Sequence, residues 1–145
     1  MTNKFIEKIK KKFKNFIFPE INEIIMKKEL IENIINIAKD SYPKEFLAWM
    51  IGNNRKGVLM IENLEMQTYY ANNNSAIFEP TWLPNTSNII GTVHSHPGYS
   101  NRASRADLRV FNKRGLIHAI ICMPYTQETI QFYDKYGEKI NIKIE

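Results

Sequence analysis

The chain has 145 residues, of which 43% are apolar and 24% are charged, and it carries a net charge of +5. This length and composition fit a single globular domain and exclude long disordered and fibrous proteins, while the one cysteine, Cys122, excludes an intrachain disulfide and a multi-cysteine metal site. The net charge alone would favour nucleic-acid binding, but residues 1–14 hold six lysines and one acid, and the remaining residues hold 14 basic and 14 acidic side chains.

The first segment of the chain predicts a basic amphipathic helix, because apolar residues recur among its lysines at spacings of three and four. The apolar stripe consists of Phe5, Ile6, Ile9, Phe13, Phe16 and Ile17. Such a helix can pack on its own domain or on a second copy of the chain, bind the groove of a partner, or lie on an anionic membrane surface. Phe18-Pro19-Glu20 interrupts the pattern, and we divide the chain into a helical extension, residues 1–25, and a domain, residues 26–145.

The sequence has no apolar stretch long enough to span a membrane, and its basic N-terminus lacks the apolar core and cleavage site of a secretory signal. These features predict a cytoplasmic protein. Cys122 lies in an apolar run, which predicts a buried, unreactive thiol rather than a nucleophile.

The first half of the domain predicts a helix followed by a β-hairpin. A second helical pattern begins at Ile21 and ends before Asp40-Ser41-Tyr42-Pro43, because a residue before proline avoids the helical conformation. The apolar run Phe46–Ile51 predicts a buried strand that ends in a turn at Gly52-Asn53-Asn54, with Val58–Ile61 as its hairpin partner.

The second half of the domain predicts strands around one short helix. Ile89–His96 and Leu116–Met123 are predicted strands, and residues 104–114 form a predicted helix with Leu108 and Phe111 facing inward. Further strands are predicted at Gln67–Tyr70, Thr129–Tyr133 and Lys139–Ile144, the last two as a hairpin. This alternation indicates an α/β (α+β) fold in which helices sandwich a mixed sheet.

The clearest chemistry lies at His94 and His96, two of the three histidines of the chain, at the end of a predicted strand. Residues i and i+2 of a strand project from the same face, so the two imidazoles can share one ion. Asp107 follows in the first turn of the predicted helix, three residues after Ser104, a spacing that also fits a helix capping box. Two imidazoles and a carboxylate suit a divalent metal ion and leave a position open for water, as in catalytic zinc sites.

Hydrolysis at such a metal needs a general base, and the residues alone leave its identity open. Glu45, at the entry to the strand Phe46–Ile51, is one choice, and Glu62 and Glu79 are others. His118 lies within an apolar run and is predicted to be a core histidine rather than a further ligand.

The motif HSHPGYSNRASRAD, residues 94–107, resembles the signature of the JAMM (MPN+) metalloprotease family at each defining position. Residues 42–52 are similar to the glutamate-bearing segment of that family, and the resemblance covers residues 28–142. The chain is most similar to the small archaeal, deubiquitinase-like members. The resemblance implies an MPN fold, related to that of cytidine deaminases, in which helices sandwich a mixed β-sheet.

The resemblance also implies an active site. It implies that His94, His96 and Asp107 hold Zn2+ with a bound water. Glu45 would be the base that moves a proton from this water to the leaving amine, and Ser104 would stabilise the oxyanion. The implied reaction is hydrolysis of isopeptide or peptide bonds at the C-terminus of ubiquitin-like modifiers, which in archaea are small sulfur-carrier-like proteins. The zero net charge of the chain beyond residue 14 argues against nucleic acid as a partner.

Two other functions share parts of this pattern. A non-catalytic MPN scaffold is disfavoured because all five site positions are occupied, and an iron enzyme with a two-histidine, one-carboxylate triad uses the same donor set. Arg102, in the loop between the two halves of the motif, is a candidate substrate contact.

Overall fold

The structure, a computed structural model, describes residues 21–67 and 88–145. The predicted N-terminal helix before residue 21, the predicted strand beyond Gln67 and the candidate base Glu79 lie outside these ranges. Within the described residues, no helix combines the length and the apolar character that a membrane crossing requires.

The described residues form eight strands and two α-helices. In chain order these are β1 (Glu23–Met26), α1 (Lys28–Ser41), β2 (Leu47–Arg55), β3 (Val58–Met66), β4 (Ile89–Ser95), α2 (Arg105–Lys113), β5 (Ile117–Ile121), β6 (Ile130–Asp134), β7 (Lys139–Ile140) and β8 (Lys143–Ile144), with a 3-10 turn at Gln127–Thr129 before β6. The predicted strands that correspond to β4 and β5 and the predicted helix that corresponds to α2 are confirmed to within two residues at each end.

One mixed sheet contains these strands in the order β7-β6-β5-β4-β2-β3-β1-β8. β4 and β5 are parallel, β1 is parallel to both of its neighbours, and the other pairs are antiparallel. Two residues, Asn141 and Ile142, connect β7 to β8 at opposite ends of this order. Because so short a link spans only about 10 Å, the two edges lie close together and the sheet curls.

The two helices cover opposite faces of the sheet. The buried residues of α1 pack in a core that includes Ala119, whereas Phe111 of α2 packs with Ile120 and Tyr133. The buried residues of α1 are Leu30, Ile31, Ile34 and Ala38. Ala119 and Ile120 are consecutive in β5 and therefore point to opposite faces. The sheet thus lies between helices, which confirms the predicted mixed fold.

The predicted helix over residues 21–39 is wrong in its first part, where Glu23–Met26 form a strand, β1. The isoleucines of this segment have a spacing that fits a helix, but its backbone pairs with β3 and β8, and Ile25 and Met26 enter the core. Pairing with strands far along the chain overrides the local period. The predicted domain boundary between residues 25 and 26 lies inside this strand.

The predicted turn at Gly52-Asn53-Asn54 is also wrong, because β2 continues to Arg55 and turns at Lys56-Gly57. Gly52 instead lies at a β-bulge, where a Cβ would collide with the carbonyl oxygen of Met60. A glycine in a strand often marks such a close approach of backbone. Gly52 therefore marks this bulge, and the turn comes four residues later at Lys56-Gly57.

The predicted C-terminal hairpin is confirmed where β6 pairs with β7 and is wrong beyond Ile140. Lys143 and Ile144 form β8, which pairs in parallel with β1 at the other edge of the sheet. The predicted inward orientation of Leu108 is wrong as well: its exposed fraction is 39%, whereas Phe111 is fully buried.

Candidate metal centre

β4 is a rigid mount for the two histidines, because it lies inside the sheet between β2 and β5. His94 pairs with residues on both neighbouring strands and is buried. His96 follows the end of β4, and its N–H donates to the carbonyl oxygen of Ile121 at 2.8 Å, which keeps it in register with β5. The two imidazoles therefore project from the same face, as the spacing of two predicts.

The first turn of α2 fixes Asp107 through a reciprocal capping box. The N–H of Asp107 donates to Ser104 Oγ at 3.1 Å, and the N–H of Ser104 donates to Asp107 Oδ2 at 2.8 Å. This confirms the capping role predicted for Ser104. It also restricts the direction of the Asp107 carboxylate, which points toward β4.

His94, His96 and Asp107 converge on one point. His94 Nε2 lies 3.0 Å from Asp107 Oδ1, His96 Nε2 lies 3.3 Å from Asp107 Oδ2, and the two Nε2 atoms are 3.2 Å apart. The three side chains are between 11% and 19% exposed, so the cluster is mostly shielded but keeps some access to solvent. Such a group of donor atoms can hold a metal ion.

The tautomer of His96 supports a cation at this point. Its Nδ1 lies 2.9 Å from the carbonyl oxygen of Ser100, and because a carbonyl can only accept, Nδ1 carries the proton. The neutral ring then presents the Nε2 lone pair to Asp107, so two acceptors face each other. This arrangement is stable only with a shared cation, either a proton or a metal ion, and a backbone carbonyl on the distal nitrogen is typical of metal-bound histidine.

The pKa shifts of Asp107 and His96 also favour a cation at the cluster. Burial raises the pKa of Asp107, but hydrogen bonds to His94 and His96 outweigh it and hold the pKa well below its usual range. The hydrogen bond to Asp107 raises the pKa of His96, against the opposing effect of burial. Asp107 is therefore an ionised carboxylate at physiological pH, which is the form that binds metal.

Glu45 precedes Phe46 on the segment that leads into β2, and Phe46 is joined to Ser95 near the end of β4. The N–H of Phe46 donates to Ser95 Oγ at 3.0 Å, and the N–H of Ser95 donates to the carbonyl oxygen of Phe46 at 3.1 Å. Glu45 is exposed, and its charge makes a smaller contribution to the raised pKa of His96. Glu62, the alternative base among the described residues, lies on β3, which β2 separates from β4.

The sequence comparisons agree with this geometry. Residues 27–135 match the sequence model of the prokaryotic homologs of the JAB domain, which covers most of the chain. The chain belongs to this JAB (JAMM/MPN) family. A protein from Haloferax volcanii named "Probable metalloprotease" is 26% identical to this JAB domain over 117 residues, which are 76% of this chain and 72% of the relative.

Solved structures give the same fold. A JAB1/MPN domain protein from Archaeoglobus fulgidus matches with a TM-score of 0.64 and 25% identity, over 86% of this chain and 98% of the other. A structure described as "JAMM: A Metalloprotease-like Zinc Site in the Proteasome and Signalosome" matches with a TM-score of 0.62 and 28% identity, over 86% and 99%. The predicted family and fold are both confirmed.

His118 is a core histidine of the JAB domain, as predicted. Its Nε2 lies 3.0 Å from the carbonyl oxygen of Phe111 and therefore donates, and its Nδ1 accepts from the hydroxyl of Thr92 at 2.7 Å. The ring stacks on Phe111 with centroids 4.3 Å apart. Burial lowers the pKa of His118 to about 4, so the side chain is neutral in the folded protein.

The stability of the JAB domain is expected to fall as the pH drops from about 6.5 to about 4, because the unfolded chain then binds a proton that folded His118 does not. This loss amounts to about 3 kcal/mol. Urea unfolding of the metal-free protein across this range should show the slope, and His118→Gln should flatten it. A slope that is the same in both proteins would assign the pH dependence to other groups.

Two further predictions concern single residues near the cluster. Cys122 is buried, as predicted, and burial raises the pKa of its thiol, which disfavours the nucleophilic thiolate. Arg102 is exposed, and its N–H donates to Ser100 Oγ at 3.3 Å in the loop before α2. Its role as a substrate contact stays a prediction.

Sequence reasoning did not single out three residues that support the ligands. Ser95 fastens β4 to the Glu45 segment, the Ser100 carbonyl orients His96, and the hydroxyl of Tyr125 donates to the carbonyl oxygen of His96 at 3.3 Å. Only Ser95 has a local signal, since it is a polar residue on the same strand face as the apolar Val93. The other two contacts join loops and carry no pattern in the sequence.

Proposed function

We propose that this JAB domain is a zinc-dependent metalloprotease that hydrolyses isopeptide or peptide bonds at the C-terminus of ubiquitin-like modifier proteins. The convergence of His94, His96 and Asp107 on one point is the observation that carries the proposal. The relative named as a probable metalloprotease and the similar structure described as a metalloprotease-like zinc site support it.

The donor set favours zinc in a catalytic setting. Catalytic zinc sites use three protein ligands, commonly imidazoles with a carboxylate, whereas structural sites are closed by four. Among the described residues, the cluster contains three such ligands and is partly exposed. A zinc ion held there would act as a Lewis acid that lowers the pKa of water and polarises a carbonyl group.

The side chains around the cluster can carry out the remaining steps. Glu45, exposed one residue before the segment that is joined to β4, would accept a proton from the attacking water and deliver it to the leaving amine. Ser104 Oγ accepts from the N–H of Asp107, so its own proton remains available for the substrate oxygen that gains negative charge. Capping and oxyanion stabilisation by Ser104 are therefore compatible.

A ubiquitin-like modifier suits the site as substrate because its extended C-terminal tail fits a partly exposed cluster of this kind. An isopeptide bond between a flexible C-terminus and a lysine can enter a partly exposed site as a strand held by main-chain hydrogen bonds. Small β-grasp proteins with such tails, of the ubiquitin-like or sulfur-carrier-like kind, are the proposed partners.

The test is cleavage of an isopeptide-linked conjugate of a small β-grasp protein by chelator-treated chain that is resupplied with zinc or with iron(II). We expect cleavage with zinc in the absence of oxygen. Activity that requires iron and oxygen would favour the two-histidine, one-carboxylate iron enzyme. A zinc-loaded chain that cleaves neither isopeptide nor linear fusions would favour a scaffold.

Ser104→Ala is expected to reduce kcat by roughly 10²–10³ if the hydroxyl stabilises the oxyanion. The same change removes the cap of α2 and costs about 1 kcal/mol of stability. Steady-state kinetics, zinc content and thermal melts of Ser104→Ala and of Ser104→Thr, which keeps a hydroxyl, separate the two roles. Unchanged turnover with a lower melting temperature would leave Ser104 only as a cap.

A further inference from the structure

The outward side of α2 carries a row of positive charge. Arg105, Arg109 and Lys113 are spaced by four residues and are exposed, so they lie on one face of the helix, which we call the basic face. Phe111, fully buried, marks the opposite side, where the helix rests on the sheet. The basic face therefore points to solvent.

This row of charges is unfavourable for the helix itself. Like charges four residues apart destabilise a helix, and Arg105 stands in the first turn, where the helix dipole disfavours a cation. The one acid of α2, Asp107, belongs to the metal cluster. Among the ion pairs formed by the described residues, none involves the basic face.

The other helix shows a different pattern, since each lysine of α1 is directly followed by an acid. Lys28 is followed by Glu29 and Glu32, and Lys39 by Asp40. The positive charge of α2 is thus a local feature of a chain whose net charge is zero outside its first 14 residues.

An apolar contact area borders the basic face. Leu108 and Tyr136 are 39% and 36% exposed, and a Cβ on Gly137 would meet the Leu108 side chain, so Leu108 lies over the turn between β6 and β7. Arginines next to exposed leucine and tyrosine form a surface of the kind that binds proteins, in which apolar contacts and arginine supply most of the affinity.

The basic face starts in the same turn of α2 that supplies Asp107 to the candidate metal centre, but on the opposite side of the helix. Arg105 directly follows Ser104, and Asp107 lies on the same turn of α2. The width of a helix with its side chains is about 10 Å. A protein whose C-terminal tail reached the cluster would therefore have the basic face about one helix width away, within reach of its folded body.

We propose that the basic face of α2, with Leu108 and Tyr136 at its margin, is the docking surface for an acidic protein, the modifier whose tail is cleaved. The choice of a protein as occupant rests on the proposed function, and its acidic character rests on the charge of the basic face. The basic face would then select acidic modifiers, whereas other residues would carry out the hydrolysis.

Binding tests the surface without hydrolysis. The probes are a fluorescent peptide of six glutamates followed by Gly-Gly, its glutamine analogue, and a single-stranded oligonucleotide, each titrated onto the full chain by anisotropy. The variant Arg105→Gln/Arg109→Gln/Lys113→Gln is compared with Lys27→Gln/Lys28→Gln/Lys39→Gln, which removes the same charge from exposed lysines at and before α1. The lysines of residues 1–14 are present in the unmodified chain and in both variants, so they contribute equally to the affinities that are compared.

We expect the α2 variant to bind the glutamate peptide about tenfold more weakly, the α1 variant to bind it almost normally, and Arg105→Lys/Arg109→Lys to retain binding. Equal weakening in both triple variants, or none in either, would overturn the proposal. Tighter binding of the oligonucleotide than of the peptide, lost in the α2 variant alone, would overturn it in favour of nucleic acid.

Hydrolysis separates the docking surface from the proposed function. The same two peptides are joined through Gly-Gly to the ε-amine of a lysine and offered to the zinc-loaded chain. We expect a lower KM for the glutamate substrate, which the α2 variant loses without a change in kcat. Cleavage of both substrates with equal KM would overturn the docking surface alone. Selective binding of the acidic peptide without any cleavage would retain the docking surface and overturn the proposed function.

Discussion

Glu45→Gln is expected to reduce kcat by about 10³ while the chain keeps its zinc. The amide has almost the same size as the carboxylate but cannot accept a proton at neutral pH, so the attacking water is not activated and the leaving amine is not protonated. Zinc content by mass spectrometry and turnover of an isopeptide conjugate, measured on the same sample, check both halves of this prediction.

The position of Glu45 explains why metal binding should survive the change. Glu45 precedes Phe46, which is fastened to Ser95 by two hydrogen bonds, so its backbone is held by β2 and β4 and not by its own side chain. The three ligands lie on β4 and α2. Replacing an exposed carboxylate by an amide leaves those elements in place.

Glu62→Gln is the matched control, because it makes the same chemical change on β3. It is expected to turn over like the unmodified chain. Full activity in Glu45→Gln, or equal losses in the two variants, would show that Glu45 is not the general base. Loss of zinc from Glu45→Gln would instead assign the residue to the metal centre.

The parts of the site that are predictable from sequence lie within single elements. The shared direction of His94 and His96 follows from the strand period, and the contact of Ser104 with Asp107 follows from capping geometry at a helix start. Neither the strand period nor the capping pattern predicts that the end of β4 lies against the start of α2. That meeting was expected from the family resemblance, and the distances across it agree.

The parts of the fold that sequence patterns missed depend on long-range pairing. The isoleucines of β1 have helical spacing, and their strand conformation comes from β3 and from β8 at the other end of the chain. Leu108 and Phe111 share a helical period, yet α2 rests on the sheet through Phe111, and Leu108 lies over a turn at Gly137. A local period predicts which face of a helix is apolar, but not how much of that face the sheet covers.

Asp107→Asn is expected to remove tight zinc binding and, with it, hydrolysis. Loss of a residue that merely supports a ligand costs about 10–100-fold in metal affinity, and loss of a charged ligand should exceed that. Asp107 is the anionic member of the cluster, with one oxygen directed at each histidine. A neutral amide at this position leaves two imidazoles and no charge to offset a divalent ion.

The same substitution should leave the fold intact, because the amide oxygen can still accept the N–H of Ser104 that Asp107 Oδ2 accepts at 2.8 Å. Asp107→Ala, which removes both functions, should cost a further ~1 kcal/mol through loss of half of the capping box. Isothermal titration with zinc and thermal melts of the two variants separate the ligand from the cap.

Zinc should raise the melting temperature of the unmodified chain, since a ligand that binds only the folded state stabilises it by mass action. Asp107→Asn should lose this rise, whereas Asp40→Asn, an amide replacement at an exposed position of α1, should keep it. A zinc-dependent rise that persists in Asp107→Asn would place the ion on other ligands. Because His94 Nε2 and His96 Nε2 both face this one carboxylate, the whole assignment of the centre depends on that result.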